Sequence, residues 1–272
     1  MSNKVLKPKK ASLYQFTQKY SNNIDNCIEF FKSMKWPEGF SCDRCGCHKY
    51  YLVKRVGKTK TSYVLECSSC HKQHSLLSGT IFQSCKLDLY KLLLGIFLFF
   101  NENKGISAIE LCSILDVNYK TALLLESKCR ILMSLSNSDK LLNSLFYEAD
   151  VFNIGARSKN KAGRASEQQP ILGILSTDKE NNYPRFIKLR LITDYTGLSL
   201  KKNIEKCCVL SHDALFNTDG EKGFNTLNEE IQVKNEKISY EERDHRLLWL
   251  NIIIGNIKNN ITGIYHGITK RE

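Results

Sequence analysis

The feature that most narrows the folds open to this chain is a pair of Cys-x-x-Cys knuckles, Cys42-Asp43-Arg44-Cys45 and Cys67-Ser68-Ser69-Cys70, separated by 21 residues. Each knuckle offers two thiolates from one tight turn, and two such turns supply the four sulfurs that close the tetrahedral shell of a structural zinc ion. Between them, Tyr50 to Leu65 alternates in the manner of a hairpin. The expectation is a zinc ribbon with structural Zn2+ on Cys42, Cys45, Cys67 and Cys70. Cys47, His48, His71 and His74 lie near enough in sequence to compete as ligands. Lys54, Arg55, Lys58 and Lys60 give the hairpin a basic tip, suited to phosphate or to water alike. The chain has 11 cysteines, and the lysines of residues 1–10 are followed by no apolar stretch resembling an export signal. Metal ligation is therefore expected before disulfide bonding, and a cytoplasmic location before export.

The net charge of +12 is unevenly spread. Residues 1–140 carry 21 Lys and Arg against 11 Asp and Glu, whereas residues 141–272 carry 19 against 17. A basic amino-terminal half suits a polyanionic partner such as a nucleic acid, because each phosphate contact releases counterions. The most apolar run, Leu87 to Phe100, is broken by Asp88 and Lys91 and is too short to cross a bilayer, so a buried helix and no membrane partner are expected.

Apolar spacing predicts one helix over Tyr14 to Lys35, ending at the turn Trp36-Pro37-Glu38-Gly39. Leu87 to Leu135 reads as three helices, with breaks near Asn101 to Gly105 and at Asp116 to Asn118. Ser107, with Glu110 three residues on, makes a capping box, and the short turn Asp116-Val117-Asn118 fits a helix-turn-helix. Its second helix would bring Asn118, Tyr119, Lys120 and Thr121 near base edges and phosphates. Beyond Leu145, short apolar runs read as strands over Leu145 to Ile154, Ile171 to Thr177, Arg185 to Ile192 and Val209 to Asn217, and a last helix covers Leu247 to Asn259. Glu148 and Asp150, two apart on the first strand, share a face, and Asp219 follows the end of the fourth. Carboxylates at strand ends suit hard divalent cations.

The chain resembles the bacterial insertion-sequence transposases that carry an amino-terminal zinc ribbon and are related to the Merlin transposons. The resemblance rests on Trp36-Pro37-Glu38-Gly39-Phe40, Ser78-Gly79-Thr80-Ile81-Phe82, Lys104-Gly105-Ile106-Ser107-Ala108, Phe146 to Ala156, Phe216 to Phe224 and Ile264-Tyr265-His266-Gly267. It implies an α+β multidomain chain: a helical segment over 1–39, a zinc ribbon over 40–80, a helix-turn-helix over 85–137 and a ribonuclease H-like α/β catalytic domain over 143–272. It also implies Asp150 and Asp219 as catalytic carboxylates holding Mg2+ or Mn2+. Asn251 would fall at the third position, with Lys258 seven residues later on the same helix face. Lys104 and the basic loop of Arg157, Lys159, Lys161 and Arg164 would join Asn118 to Thr121 in binding DNA. Val151 and Phe152 stand where relatives often have an acidic residue and a threonine, Ala156 replaces a glycine, and similar transposases continue past Glu272 into a further helix.

The activity so implied is metal-dependent cleavage at terminal inverted repeats followed by attack of the exposed 3′-hydroxyl on target DNA, by a homodimer or larger assembly at the bacterial nucleoid. The rival reading is a DNA-binding protein without chemistry, either a zinc-ribbon regulator or a decayed transposase. A zinc enzyme working through the ribbon metal is disfavoured, because four thiolates leave no open position.

Overall fold

The computed structural model describes residues 12–57, 61–102, 105–138, 140–155, 168–178, 183–220, 222–227, 232–235 and 247–265. They fall into two compact units, Met1–Ser134 and Leu135–Glu272. Among the described residues no helix is long and apolar enough to cross a membrane.

In the first unit, α1 (Leu13–Tyr20) and α2 (Ile24–Lys35) precede a three-stranded antiparallel sheet in the order β1 (Tyr50–Val56), β2 (Thr61–Cys67), β3 (Gln73–Ser75). The helices α3 (Leu89–Asn101), α4 (Ala108–Leu115) and α5 (Tyr119–Ser138) follow. The single helix expected over Tyr14 to Lys35 is in fact two. The polar run Ser21-Asn22-Asn23 diverts the backbone: the Asn23 side chain accepts from the Asn26 N–H at 3.1 Å and so starts α2, while Asn26 Nδ2 donates to the Lys19 carbonyl at 2.8 Å. The helical segment, the ribbon and the helical hairpin share one continuous interior, running from Phe16 through Phe31, Phe40, Leu65, Leu92 and Leu111 to Cys129. Phe16 stacks on Phe97 with centroids 4.2 Å apart, and Lys35 Nζ donates to the Ser75 carbonyl at 2.7 Å, tying α2 to β3.

The break between α4 and α5 forms as expected. Ser107 Oγ accepts from the Glu110 N–H at 3.2 Å while Glu110 Oε2 accepts from the Ser107 N–H at 2.9 Å, and Asp116 closes α4 in the left-handed region at φ 48°. Behind this hairpin Gly95 lets α3 approach closely, since a Cβ there would lie 2.5 Å from Leu125 Cδ2 and 3.0 Å from Leu115 Cδ1. Replacing Gly95 by valine is expected to overpack this contact and cost about 1–3 kcal/mol in a denaturant titration. A variant as stable as the native chain would contradict that packing.

The second unit is built on a five-stranded sheet in the order β6-β5-β4-β7-β8, formed by β4 (Phe146–Ile154), β5 (Gln169–Asp178), β6 (Tyr183–Leu191), β7 (Leu215–Thr218) and β8 (Gln232–Asn235). The pairs β4–β5 and β5–β6 are antiparallel, whereas β4–β7 and β7–β8 are parallel. The strand expected from Val209 to Asn217 is shorter, Leu215–Thr218, because Ser211 to Ala214 forms a turn and Cys208 makes an isolated bridge to Leu142.

Alternation along β4 sends its side chains to two buried faces. Tyr147 and Ala149 join Phe216, Phe224, and Leu200 and Ile204 of α6 (Gly197–Glu205) on one side; Tyr147 and Phe216, which are register partners, stack at 4.4 Å. Phe152 meets Leu175, Leu250 and Ile254 on the other, where the last helix α7 (Leu248–Tyr265) lies. Glu148 and Asp150 share this second face by the period of two.

Candidate zinc and carboxylate sites

The four sulfurs of Cys42, Cys45, Cys67 and Cys70 lie within 4.8 Å of one another. Cys42 and Cys70 are 3.6 Å apart and Cys45 and Cys67 are 3.5 Å apart. A tetrahedron with Zn–S arms near 2.3 Å has edges of about 3.8 Å, so the donor set fits structural zinc in size and chemistry. Burial pushes the Cys42 thiol up, but the backbone N–H groups of Arg44 and Cys45, His74 and Cys70 outweigh it and bring it down to about 6. Among the described residues Cys47, His48 and His71 stand outside the four-sulfur cluster. Cys47 faces Ser68, His48 faces the Phe40 carbonyl and His71 faces Glu66.

His74 falls, with Cys42 and Asp43, in a second group of side chains whose ligand atoms lie within 4.8 Å of one another and could hold a metal ion. Buried on β3, it sets Nε2 3.4 Å from Cys42 Sγ and Nδ1 3.7 Å from the Asp43 carboxylate. With zinc bound, the Cys42 thiolate could only accept, and Nε2 would then donate to it. His74→Ala is expected to weaken zinc retention roughly tenfold or more. Chelator competition followed with a metallochromic indicator would measure it, and an unchanged release curve would reject this role.

The second unit gathers carboxylates. The β4–β7 register pairs Ala149 with Thr218, so the next step along two parallel strands sets Asp150 beside Asp219. Their carboxyl groups come within hydrogen-bonding reach of each other. Burial first, and then the charge of Asp219, push the Asp150 carboxyl up to about 7, against the Val151 N–H, which donates to Oδ1 at 2.7 Å, and the Lys258 ammonium. Asp150 is half-buried and Asp219 exposed. Lys258 Nζ sits 5.6 Å from the centroid of the Phe152 ring, and Asn251 is exposed in the first turn of α7.

Glu148 is 4% exposed, and its Oε2 accepts from the Leu250 N–H at 2.8 Å. Burial holds this carboxyl above the usual range, opposed by the Leu250 and Trp249 N–H groups. Alternation along the strand places Glu148 on the face of Asp150, but no local signal couples it to a helix 102 residues away.

Behind Asp219 the chain is tightly held. A Cβ on Gly223 would lie 2.6 Å from the Tyr195 carbonyl oxygen, and one on Gly197 would lie 2.4 Å from Thr226 Cγ2. These contacts bind the turn Lys222–Leu227 to the start of α6.

In the first unit Asn118 caps α5, its Oδ1 accepting from the Thr121 N–H at 2.8 Å and from Thr121 Oγ1 at 2.9 Å. Tyr119 and Lys120 are exposed beside it. Lys104, Arg157, Lys159, Lys161 and Arg164 lie outside the described residues, as do Lys58, Lys60, Ala156, His266 and Gly267.

A four-thiolate knuckle pair on a small antiparallel sheet, and a mixed sheet with paired carboxylates at adjoining parallel strands, define a protein with a structural zinc module and a separate carboxylate-bearing unit. Two protein-family models match the chain in these places: a transposase zinc-ribbon domain over residues 23–73 and an ISXO2-like transposase domain over residues 146–272. The chain belongs to the insertion-sequence transposases. No curated protein matches it.

Proposed function

We propose that this transposase binds the terminal inverted repeats of its element and catalyses Mg2+- or Mn2+-dependent strand cleavage and strand transfer through a ribonuclease H-like domain over 143–272. The observation that carries this reading is the Asp150–Asp219 pair, two carboxyl groups set side by side by strand register, one of them pushed up to about 7. Such a pair repels itself when ionised, and a divalent cation relieves that repulsion with the hard oxygen ligands it prefers. Asp150 and Asp219 would hold the metal, which when bound supplies Lewis acidity toward the phosphate. Lys258 would offer its ammonium to a DNA phosphate, with the Asn251 amide on the same helix face.

DNA binding would fall to the amino-terminal half. The helical segment over 1–39, the ribbon over 40–80 and the helix-turn-helix over 85–137 would act as one body. Asn118, Tyr119, Lys120 and Thr121 would sit at the start of the reading helix with Lys104 in the same unit, and the basic loop of Arg157, Lys159, Lys161 and Arg164 would add phosphate contacts from the second unit. Because Asn118 and Thr121 also cap α5, their contact with DNA would come through groups left over from the cap. Two element ends must be handled together, which calls for a homodimer or larger assembly on double-stranded DNA, in a cytoplasmic, nucleoid-associated setting.

The test is cleavage of a labelled duplex bearing the flanking inverted repeat, with Mg2+ or Mn2+, by the native chain, Asp150→Ala and Asp219→Ala. Metal-dependent cleavage lost in both variants supports the proposal. Repeat binding without cleavage by the native chain favours the rival reading of a DNA-binding protein without chemistry.

A further inference from the structure

Glu148 is a buried carboxylate outside the aspartate pair, and the catalytic roles above leave it unused. It stands two residues before Asp150 on the same face of β4. Its carboxylate reaches the opening of α7, accepting the Leu250 N–H at 2.8 Å and engaging the Trp249 N–H as well. The first N–H groups of a helix have no partner within it, and a buried helix start needs an acceptor from elsewhere in the fold. Local sequence offers none of the usual caps here, since Leu247 precedes the helix. Glu148 is thus a cap supplied across the fold.

Strand and helix match in length. From Glu148 to Phe152, four residues of strand cover about 13 Å, and from Leu250 to Lys258, eight residues of helix cover about 12 Å. At one end of this span Glu148 holds the Leu250 N–H, and at the other Lys258 lies over the Phe152 ring. Asp150 falls between the two fixed points. Gly173, the register partner of Asp150, keeps the seat of the helix close, because a Cβ there would lie 3.3 Å from both Leu250 Cδ1 and Phe152 Cε1.

We infer that Glu148 is a positioning residue for strand cleavage: by capping α7 from β4 it sets the register of that helix, and with it Asn251 and Lys258, against Asp150. This rests on the proposed cleavage activity and on the roles given to Asn251 and Lys258. What matters is the reach of the acceptor oxygen rather than its charge, so two conservative replacements part the possibilities. Glu148→Gln keeps the length and an acceptor oxygen without the charge. Glu148→Asp keeps the charge but withdraws it by one methylene.

The experiment measures, on the full chain with zinc present, kcat and KM for cleavage of the inverted-repeat duplex together with hydrogen exchange at the start of α7. The expected result is that Glu148→Gln retains at least half of native kcat with native exchange. Glu148→Asp should lose kcat tenfold or more at unchanged KM, with amide exchange at Trp249 and Leu250 raised tenfold or more. Activity retained in Glu148→Asp but lost in Glu148→Gln would overturn the inference, because the carboxylate would then act through its charge. Unchanged exchange in Glu148→Asp would overturn it as well. A native chain that does not cleave would instead refute the proposed function, and the exchange comparison would still decide whether Glu148 holds α7.

Discussion

Serine in place of Cys67 is expected to unfold the whole amino-terminal unit, not the ribbon alone. Cys67 is fully buried, and its sulfur is one of the four that cluster between the knuckles. Structural zinc contributes on the order of 10–16 kcal/mol in small zinc modules, as much as or more than the roughly 5–15 kcal/mol by which a whole domain is stable. The interior that begins at Phe16 runs without interruption past Cys42 and Cys67 to Leu125 and Cys129. Losing the metal therefore removes the support under α4 and α5 together with the ribbon, and repeat binding should vanish with it. The chain has 2 tryptophans, Trp36 in the first unit and Trp249 in the second, so Trp36 fluorescence in a Trp249→Phe background reports the first unit by itself. In that background Cys67→Ser, or a strong chelator, should abolish the Trp36 unfolding transition. Cys47→Ser, which touches a sulfur outside the cluster, should retain it. Slow amide exchange persisting in α4 and α5 after zinc removal would show that the helical hairpin stands without the ribbon.

How far the sequence discloses this molecule depends on the range of the interactions involved. The zinc site is legible because its ligands arrive as two short repeats whose geometry is local, and the capping box at Ser107 and Glu110 is legible for the same reason. Strand β4 is legible by alternation, and so is the shared face of Glu148 and Asp150. The break at Ser21 to Asn23 was open to reading too, since three polar residues with capping side chains interrupt an apolar period, but the strength of the flanking apolar spacing hides it. Helix α6 carried a signal in Thr196, whose side chain caps it by accepting from the Ser199 N–H, and in Leu200 and Ile204, four apart on one face. Strand β8, four residues long, is too short to show a period. His74 and Glu148 are of another kind. Each takes its role from a partner brought close only by the finished fold, Cys42 across the ribbon in one case and the opening of α7 in the other. Residue type and spacing place such a group on a face without stating what it meets there.

The Asp150–Asp219 pair should make the metal-free second unit less stable as pH rises, and Asp150→Asn should reduce that dependence to the part left by the buried Glu148 carboxyl. The sign follows from linkage. The Asp150 carboxyl has its ordinary value near 3.9 in the unfolded chain and is pushed up to about 7 in the folded one, first by burial and then by Asp219. Between those values the folded state binds the proton that the unfolded state has already released. The stabilising contribution is whole below about pH 4 and is lost as pH rises through about 7. Allowing for solvent around a half-buried group, the loss is on the order of 1–3 kcal/mol. Asp150→Asn carries no charge at that position, so its metal-free stability should fall less across this range and exceed that of the native unit at pH 8. On the proposed function, Mn2+ should then raise the stability of the native unit, where Asp150 and Asp219 would hold the ion, and leave Asp150→Asn nearly unchanged. Urea titrations in magnesium-free buffer with zinc present, read by Trp249 fluorescence in a Trp36→Phe background, would measure both effects. A native unit whose stability is flat from pH 5 to 8 would show that the two carboxyl groups do not repel each other in the fold. A variant that is more stable without metal yet unable to cleave would support the proposed role of the pair, since the repulsion that weakens the metal-free unit would then be the charge density that holds a cation.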